Sequence, residues 1–165
     1  GYSLFRNDDI LLTNTRPYRG TAVYTRVDYY PGYPQIHNVN GIEITVTRFM
    51  ILPHVTVIGI YRPPGISIGD LCSALRREIQ LVSSQYAVFI GDFNVNWFNE
   101  SQRRPIYDLF ISQSNYKQLV KEYTTDNKTC IDHIYTNLPD SLITANVTET
   151  YFTDHKTTYV LINLT

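Results

Sequence analysis

The sequence predicts an α/β fold, packed sheets with helices on their outside, and three observations carry that prediction. Apolar, β-branched runs recur at 21–27, 42–50 and 55–60, with Gly41 and Pro53 between them, the pattern of a strand meander. A helical period follows: Ser67-Ile68-Gly69-Asp70 has capping-box spacing with Asp in the acidic role, and Leu71, Leu75, Ile79 and Val82 repeat at helical intervals. Further β-rich runs then alternate with a second helical segment. They fall at 87–90, 117–120, 130–135, 146–152 and 157–163, and the second helix spans 104–112 with Pro105 in its first turn.

Length and composition fit one domain over residues 1–165. A chain of 165 residues buries about 70% of the surface its unfolded form exposes, enough for one core. With 43% hydrophobic and 18% charged residues, it has the composition of a globular protein and not of a disordered one. No apolar stretch approaches the roughly 20 residues needed to span a bilayer, and no basic-apolar signal opens the chain, so no membrane partner is expected. Cys72 and Cys130 lack the C-x-x-C or His/Cys company of a zinc site and are too few for a disulfide framework; both read as core residues. Sequons at Asn99, Asn127, Asn146 and Asn163 are what an Asn- and Thr-rich chain contains by chance.

The chemistry concentrates where apolar runs end. Val88 to Asn96 reads V-F-I-G-D-F-N-V-N. Residues two apart in an extended chain project to one side, so Asp92 and Asn94 face one site while Phe93 returns to the core. Read alone, this is more often a strand running into an Asp/Asn turn. The pattern recurs, however, at Cys130-Ile131-Asp132-His133-Ile134-Tyr135 and at Thr153-Asp154-His155-Lys156, and Val57 to Ile60 ends in Tyr61-Arg62-Pro63-Pro64. Carboxylates beside apolar strands are costly unless paired or metal-bound, so a chain that places three of them there brings them together. His133 falls on the opposite face from Asp132 by strand alternation and stays out of the site; His37 and His54 carry no signal.

In order, Y-R-P-P (Tyr61 to Pro64), G-D-F-N (Gly91 to Asn94), I-D-H-I (Ile131 to Ile134) and T-D-H (Thr153 to His155) resemble the motifs of the endonuclease/exonuclease/phosphatase superfamily. Gln118 to Val120 and the D-H-I-Y-T-N run from Asp132 to Asn137 bring the resemblance nearest to the endonuclease domain of non-LTR retrotransposons. The resemblance implies a four-layer α/β sandwich of two packed mixed or antiparallel sheets with outer helices, here lacking the N-terminal strands that carry the family's Asn and metal-binding Glu. Glu43 and Glu78 do not stand in that Glu's context and are not given its role.

The resemblance further implies a Mg²⁺- or Mn²⁺-dependent endonuclease that nicks DNA in the nucleus, with a reverse transcriptase domain elsewhere in the same parent polyprotein. Laid on matching positions, Asp92 is the base for water, Asn94 its orienting partner and a substrate contact, and Asp154 the metal ligand. His155 faces the phosphate, Asp132 holds its tautomer, Tyr61 offers a hydroxyl, and Arg62 binds substrate. Two other readings stand beside this one: a catalytically inactive remnant that binds nucleic acid or a protein, and a phosphoesterase acting on small or lipid phosphates. A net charge of −1 and a pI near 6.5 provide no global basic field for DNA. Arg16, Arg19, Arg26, Arg62, Arg103 and Arg104 are the candidates for a local patch, and a bound cation would add charge where the carboxylates cluster.

Overall fold

A computed structural model describes residues 1–8, 20–26, 34–49 and 54–163. Its centre is a mixed sheet of six strands: β3 (Gln35–Val39), β4 (Ile42–Phe49), β5 (Val55–Tyr61), β6 (Tyr86–Asp92), β8 (Asp132–Thr136) and β7 (Lys117–Gln118), in that spatial order. The β5–β6 pair is parallel and the rest antiparallel. Two hairpins stand apart from this sheet, β1 (Tyr2–Asp8) with β2 (Gly20–Arg26) and β9 (Ile143–Thr148) with β10 (Thr157–Ile162).

Side-chain alternation along the central strands gives the sheet two apolar faces. Ile42, Ile44, Ile58, Ile60, Ala87 and Phe89 pack on one face against helix α1 (Ile68–Leu81) and the segment containing helix α2 (Glu100–Tyr107). Val55, Val88 and Ile134 line the other, together with Ile143 and the partly buried Val147, Val160 and Ile162 of the β9/β10 hairpin. The first hairpin lies on that same second face: β2 residues 21–25, Thr45 and Thr47 of β4, Gly59 of β5 and Thr158 of β10 line a common cleft of about 550 Å³. The α/β layout is thus present, with the second sheet represented by two separate hairpins.

The α1 cap matches its sequence signal. The Ser67 hydroxyl accepts the Asp70 N–H at 3.0 Å and donates to the Asp70 carboxylate at 2.6 Å, while Leu71, Leu75 and Ile79 are buried. The second helix begins four residues earlier than expected. Asn99 caps it by accepting the Gln102 N–H, so Pro105 sits inside the helix, and the stretch Asp108–Ser112 continues as a π-helical turn. The sequon pattern at Asn99 had concealed a helix cap. Strands β1 and β3 were not anticipated, β9 starts three residues before its expected position, and β2 pairs with β1 instead of joining the β4–β5 meander. The ends of the predicted runs at 27 and 50 lie outside the described residues, as do Arg16 and Arg19.

Both cysteines are free, Cys130 buried and Cys72 partly so, consistent with core roles. Among the described residues no helix is long and apolar enough to cross a membrane.

Candidate active site

Strand pairing brings the acidic strand ends together. Asp92, the last residue of β6, is the register partner of Asp132, the first residue of the antiparallel β8. Tyr61, the last residue of β5, is the register partner of Asp92 on the other side. The bend at 151–154 then delivers His155, which makes an isolated bridge to Thr125. One ligand atom from each of Asp92, Asp132 and His155 lies within 4.8 Å of the others. His155 Nδ1 is 3.0 Å from Asp132 Oδ2, an imidazole held by a carboxylate.

Asn94 joins Asp92 by a route other than strand alternation. The chain leaves the sheet after Asp92 and Asn94 adopts a left-handed φ of 50°, which Asn tolerates better than most residues. The Asn94 N–H then donates to Asp92 Oδ1 at 2.8 Å and its side-chain amide to Oδ2 at 3.1 Å. The Asp/Asn turn and the site are therefore the same structure. Phe93 between them is fully buried, as its position predicted.

Electrostatics follow from burial. Desolvation, with Asp132 adding repulsion, pushes the Asp92 carboxyl up to about 6, against the Asn94 N–H bond and the attraction of His155 and Arg62. Burial raises Asp132 as well, opposed by a hydrogen bond from Thr124 and by His155. Two adjacent carboxylates that resist ionisation together are relieved by a cation, and a hard oxygen pair of this kind suits Mg²⁺ or Mn²⁺. The donor set fits such an ion.

No protein-family model matches the chain, and no curated protein sequence matches it significantly. Solved structures do. The endonuclease domain of TRAS1, a telomere-specific non-LTR retrotransposon, superposes with a TM-score of 0.69 at 14% identity, over 98% of this chain and 79% of that one. An endonuclease/exonuclease/phosphatase from Bacteroides vulgatus gives 0.72 at 13% identity, over 99% and 77%. A mannosyl-6-phosphatase of Bacteroides thetaiotaomicron gives 0.69 at 12% identity, over 99% and 77%. The fold is that of the endonuclease/exonuclease/phosphatase superfamily.

Within this DNase I-like fold, two expected roles change. Asp154 is exposed, its carboxylate accepts from the Thr153 hydroxyl at 3.4 Å, and it lies outside the carboxylate–imidazole trio. The bend at 151–154 separates the two neighbours: His155 turns to Asp132 while Asp154 stays exposed. The carboxylate that faces Asp92 is Asp132. Arg62 is buried, and its three guanidinium nitrogens donate to the backbone carbonyls of Phe93 (2.7 Å), Ile66 and Asn94. It braces the loop behind Asp92 and does not reach outward for substrate. Burial lowers its basicity while Asp92 supports it. Replacing it with Met would strip three carbonyls of their donor, so Arg62→Met should lower unfolding free energy by about 3 kcal/mol. Urea denaturation reads this directly; a change under about 0.5 kcal/mol, the level of an ordinary surface substitution, would contradict the bracing role.

Two residues that sequence reasoning passed over also hold the site. Thr124 is fully buried, and its hydroxyl accepts the N–H groups of Ile131 (3.1 Å) and Asp132 (3.2 Å). Asn96 Oδ1 accepts the N–H groups of Phe98 and Cys130, both at 3.2 Å, tying the two loops together. Neither stands in a motif; only the fold reveals their work. His133 is excluded from the site as expected, buried between Cys130 O and the Tyr135 hydroxyl. Arg103 lies over the Trp97 ring and Arg104 beside Asp108, both on or near α2.

Proposed function

We propose that the protein is a divalent-metal-dependent phosphodiesterase that nicks DNA. The observation that carries this reading is the convergence of Asp92, Asp132 and His155 within 4.8 Å, beside an asparagine that fixes the Asp92 carboxylate through two hydrogen bonds. Phosphodiester hydrolysis needs a positioned water, neutralisation of charge on the phosphoryl oxygens, and help for the leaving oxygen.

The residues divide that work. Asp92 and Asp132 would hold Mg²⁺ or Mn²⁺, which supplies positive charge against the phosphoryl oxygens. Asp92 faces the same site and would accept the proton of a positioned water. Asn94 keeps that carboxylate aimed. Asp132 accepts from His155 Nδ1, fixing the tautomer and leaving Nε2 as the free nitrogen for a phosphate oxygen. Tyr61 stands beside Asp92 at the same sheet end and can offer its hydroxyl. DNA as substrate, a reverse transcriptase in the parent polyprotein and a nuclear setting belong to this proposal through the likeness to the TRAS1 domain. The likeness to the mannosyl-6-phosphatase supports a second reading, hydrolysis of a small phosphate ester by the same residues.

Supercoiled plasmid separates the two. The expected result is conversion to open circle in millimolar Mg²⁺ or Mn²⁺ and none in EDTA. Asp132→Asn, which keeps the shape but loses the charge that orients His155, should slow nicking by 10²- to 10⁴-fold. A protein that leaves plasmid intact with either metal but releases phosphate from sugar phosphates supports the second reading; inactivity on both overturns the hydrolase assignment.

A further inference from the structure

We propose that Phe98 and Tyr123 form a stacking platform for an unpaired nucleobase next to the phosphate bound at Asp92, Asp132 and His155. The inference rests on the DNA reading above and narrows its substrate to strands that are single or locally unpaired near the cut. The two rings are 47% and 48% exposed and meet edge to face, with centroids 5.2 Å apart and planes at 76°. In that geometry the edge of one ring covers a face of the other, and open aromatic surface remains for a third ring.

Their placement ties them to the carboxylates. Phe98 belongs to the loop that follows Asp92 and Asn94, and Asn96 Oδ1 fixes the Phe98 N–H to the same acceptor as the Cys130 N–H. Tyr123 immediately precedes Thr124, whose hydroxyl holds the backbone at Asp132. The Thr124 carbonyl in turn accepts the Lys156 N–H at 2.8 Å, next to His155. One ring therefore comes from the loop that follows Asp92 and the other from the segment that holds the backbone at Asp132, and the two rings touch.

Charge favours a role for stacking. The chain's net charge is −1. Lys117 and Lys156 are engaged by Asp140 and Glu149, and Arg62 is committed to backbone carbonyls, which leaves Lys121 and Lys128, on the same segment as Tyr123, as the nearby cations. Phosphate contacts alone are a weak source of affinity for such a protein, whereas base–aromatic stacking works without net charge and without sequence preference. A base inside a duplex already has both faces covered, so a protein ring gains a face only from a base that is unpaired or displaced.

The test measures binding without turnover. Fluorescence anisotropy in EDTA compares labelled oligo(dT) with an abasic strand of the same length and phosphate count. Wild-type protein should prefer oligo(dT), and Phe98→Ala or Tyr123→Ala should each weaken oligo(dT) binding by about five- to fifty-fold while leaving the abasic strand unchanged. Tyr123→Phe, which keeps the ring, should retain the preference. Equal binding of the two strands by wild type, weakening of both strands alike in the alanine variants, or no measurable binding to either strand overturns the platform. Failure here is distinct from failure of the nuclease reading: nicking without a base preference removes the platform alone, and a base preference without nicking removes the nuclease alone.

Discussion

Asp92→Asn is expected to abolish metal-dependent hydrolysis while making the metal-free protein more stable at neutral pH. The two effects share one cause. Burial beside Asp132 holds the Asp92 carboxyl near 6, about two units above its unfolded value, and each unit corresponds to about 1.4 kcal/mol. The folded state binds this proton more tightly than the unfolded state does. Between pH 4 and 6 the unfolded chain therefore loses its proton first, and stability falls as pH rises; above 7 the whole penalty of about 3 kcal/mol is present. Asparagine removes the charge. It also turns an NH₂ group toward the Asn94 amide, which now donates to Asp92 Oδ2, and that conflict costs about 1 kcal/mol. The net expectation is a gain of about 2 kcal/mol at pH 8 in EDTA, with activity down at least about 10³-fold because base and ligand are lost together.

The pH profile provides a sharper check, since a second buried group pulls the other way. His133 is fully buried against Phe93 and Trp97, and burial lowers it to about 4. Its folded pKa lies below the unfolded one, so stability falls as pH drops from 6.5 toward 4. In the wild type the Asp92 and His133 slopes oppose each other across the same window, and the stability curve is shallow there. Asp92→Asn should uncover more of the histidine slope, with the raised Asp132 carboxyl left to oppose it, so thermal midpoints in EDTA should climb more steeply from pH 4 to 6.5 than those of the wild type. Loss of activity without any steepening of that profile would show that Asp92 is not the strained carboxylate of this site.

How far the sequence revealed this site depends on which physical rule governed each residue. Asp92, Asn94, Asp132 and His155 were legible because each follows or flanks an apolar run, and adjacent runs of an α/β chain pair so that their polar ends meet. His133 was correctly set aside by strand alternation. That rule does not reach Asp154-His155, because residues 151–154 form a bend and not a strand. Arg62 was misassigned because a buried arginine and a substrate-binding arginine look alike in sequence, and only the nearby carbonyls of Phe93, Ile66 and Asn94 distinguish them.

The elements that escaped notice share another cause. In β1, the alternation of Tyr2-Ser3-Leu4-Phe5 is obscured by apolar residues on the outward side, with Tyr2 71% exposed. The polar residues of Gln35-Ile36-His37-Asn38-Val39 mask β3 in the same way, since its pairing with β4 is made by backbone. Thr124 acts through hydroxyl contacts to the backbone of Ile131 and Asp132, and Asn96 through an amide contact to the distant Cys130, relations that no spacing rule encodes. Composition bounded the fold class, and tertiary contact decided the residues that support the site.

Gly91→Ala should be the most damaging single-methyl change near the site. Gly91 is the residue before Asp92 and pairs with Ile60 across the parallel β5–β6 ladder. Its φ of 143° belongs to a region that L side chains rarely occupy, which costs about 1–3 kcal/mol. A Cβ built there also lands on the Ile60 carbonyl oxygen. The obstacle is backbone inside a hydrogen-bonded ladder, so no rotamer change relieves it, and overpacking adds about 1–3 kcal/mol more. Together the expected loss is about 2–6 kcal/mol, a large part of the stability of a domain of this size. Gly59→Ala offers the contrast. Its new methyl meets the hydroxyl of Thr45, a side chain, and no positive φ is involved, so Thr45→Ser or Thr45→Ala in the same chain should recover part of its loss. Chemical denaturation of the single and paired variants compares the two positions. A Gly91→Ala protein that unfolds within 1 kcal/mol of wild type would mean that β6 does not enter Asp92 through this strained step, and the geometry that aims the carboxylate would need another origin.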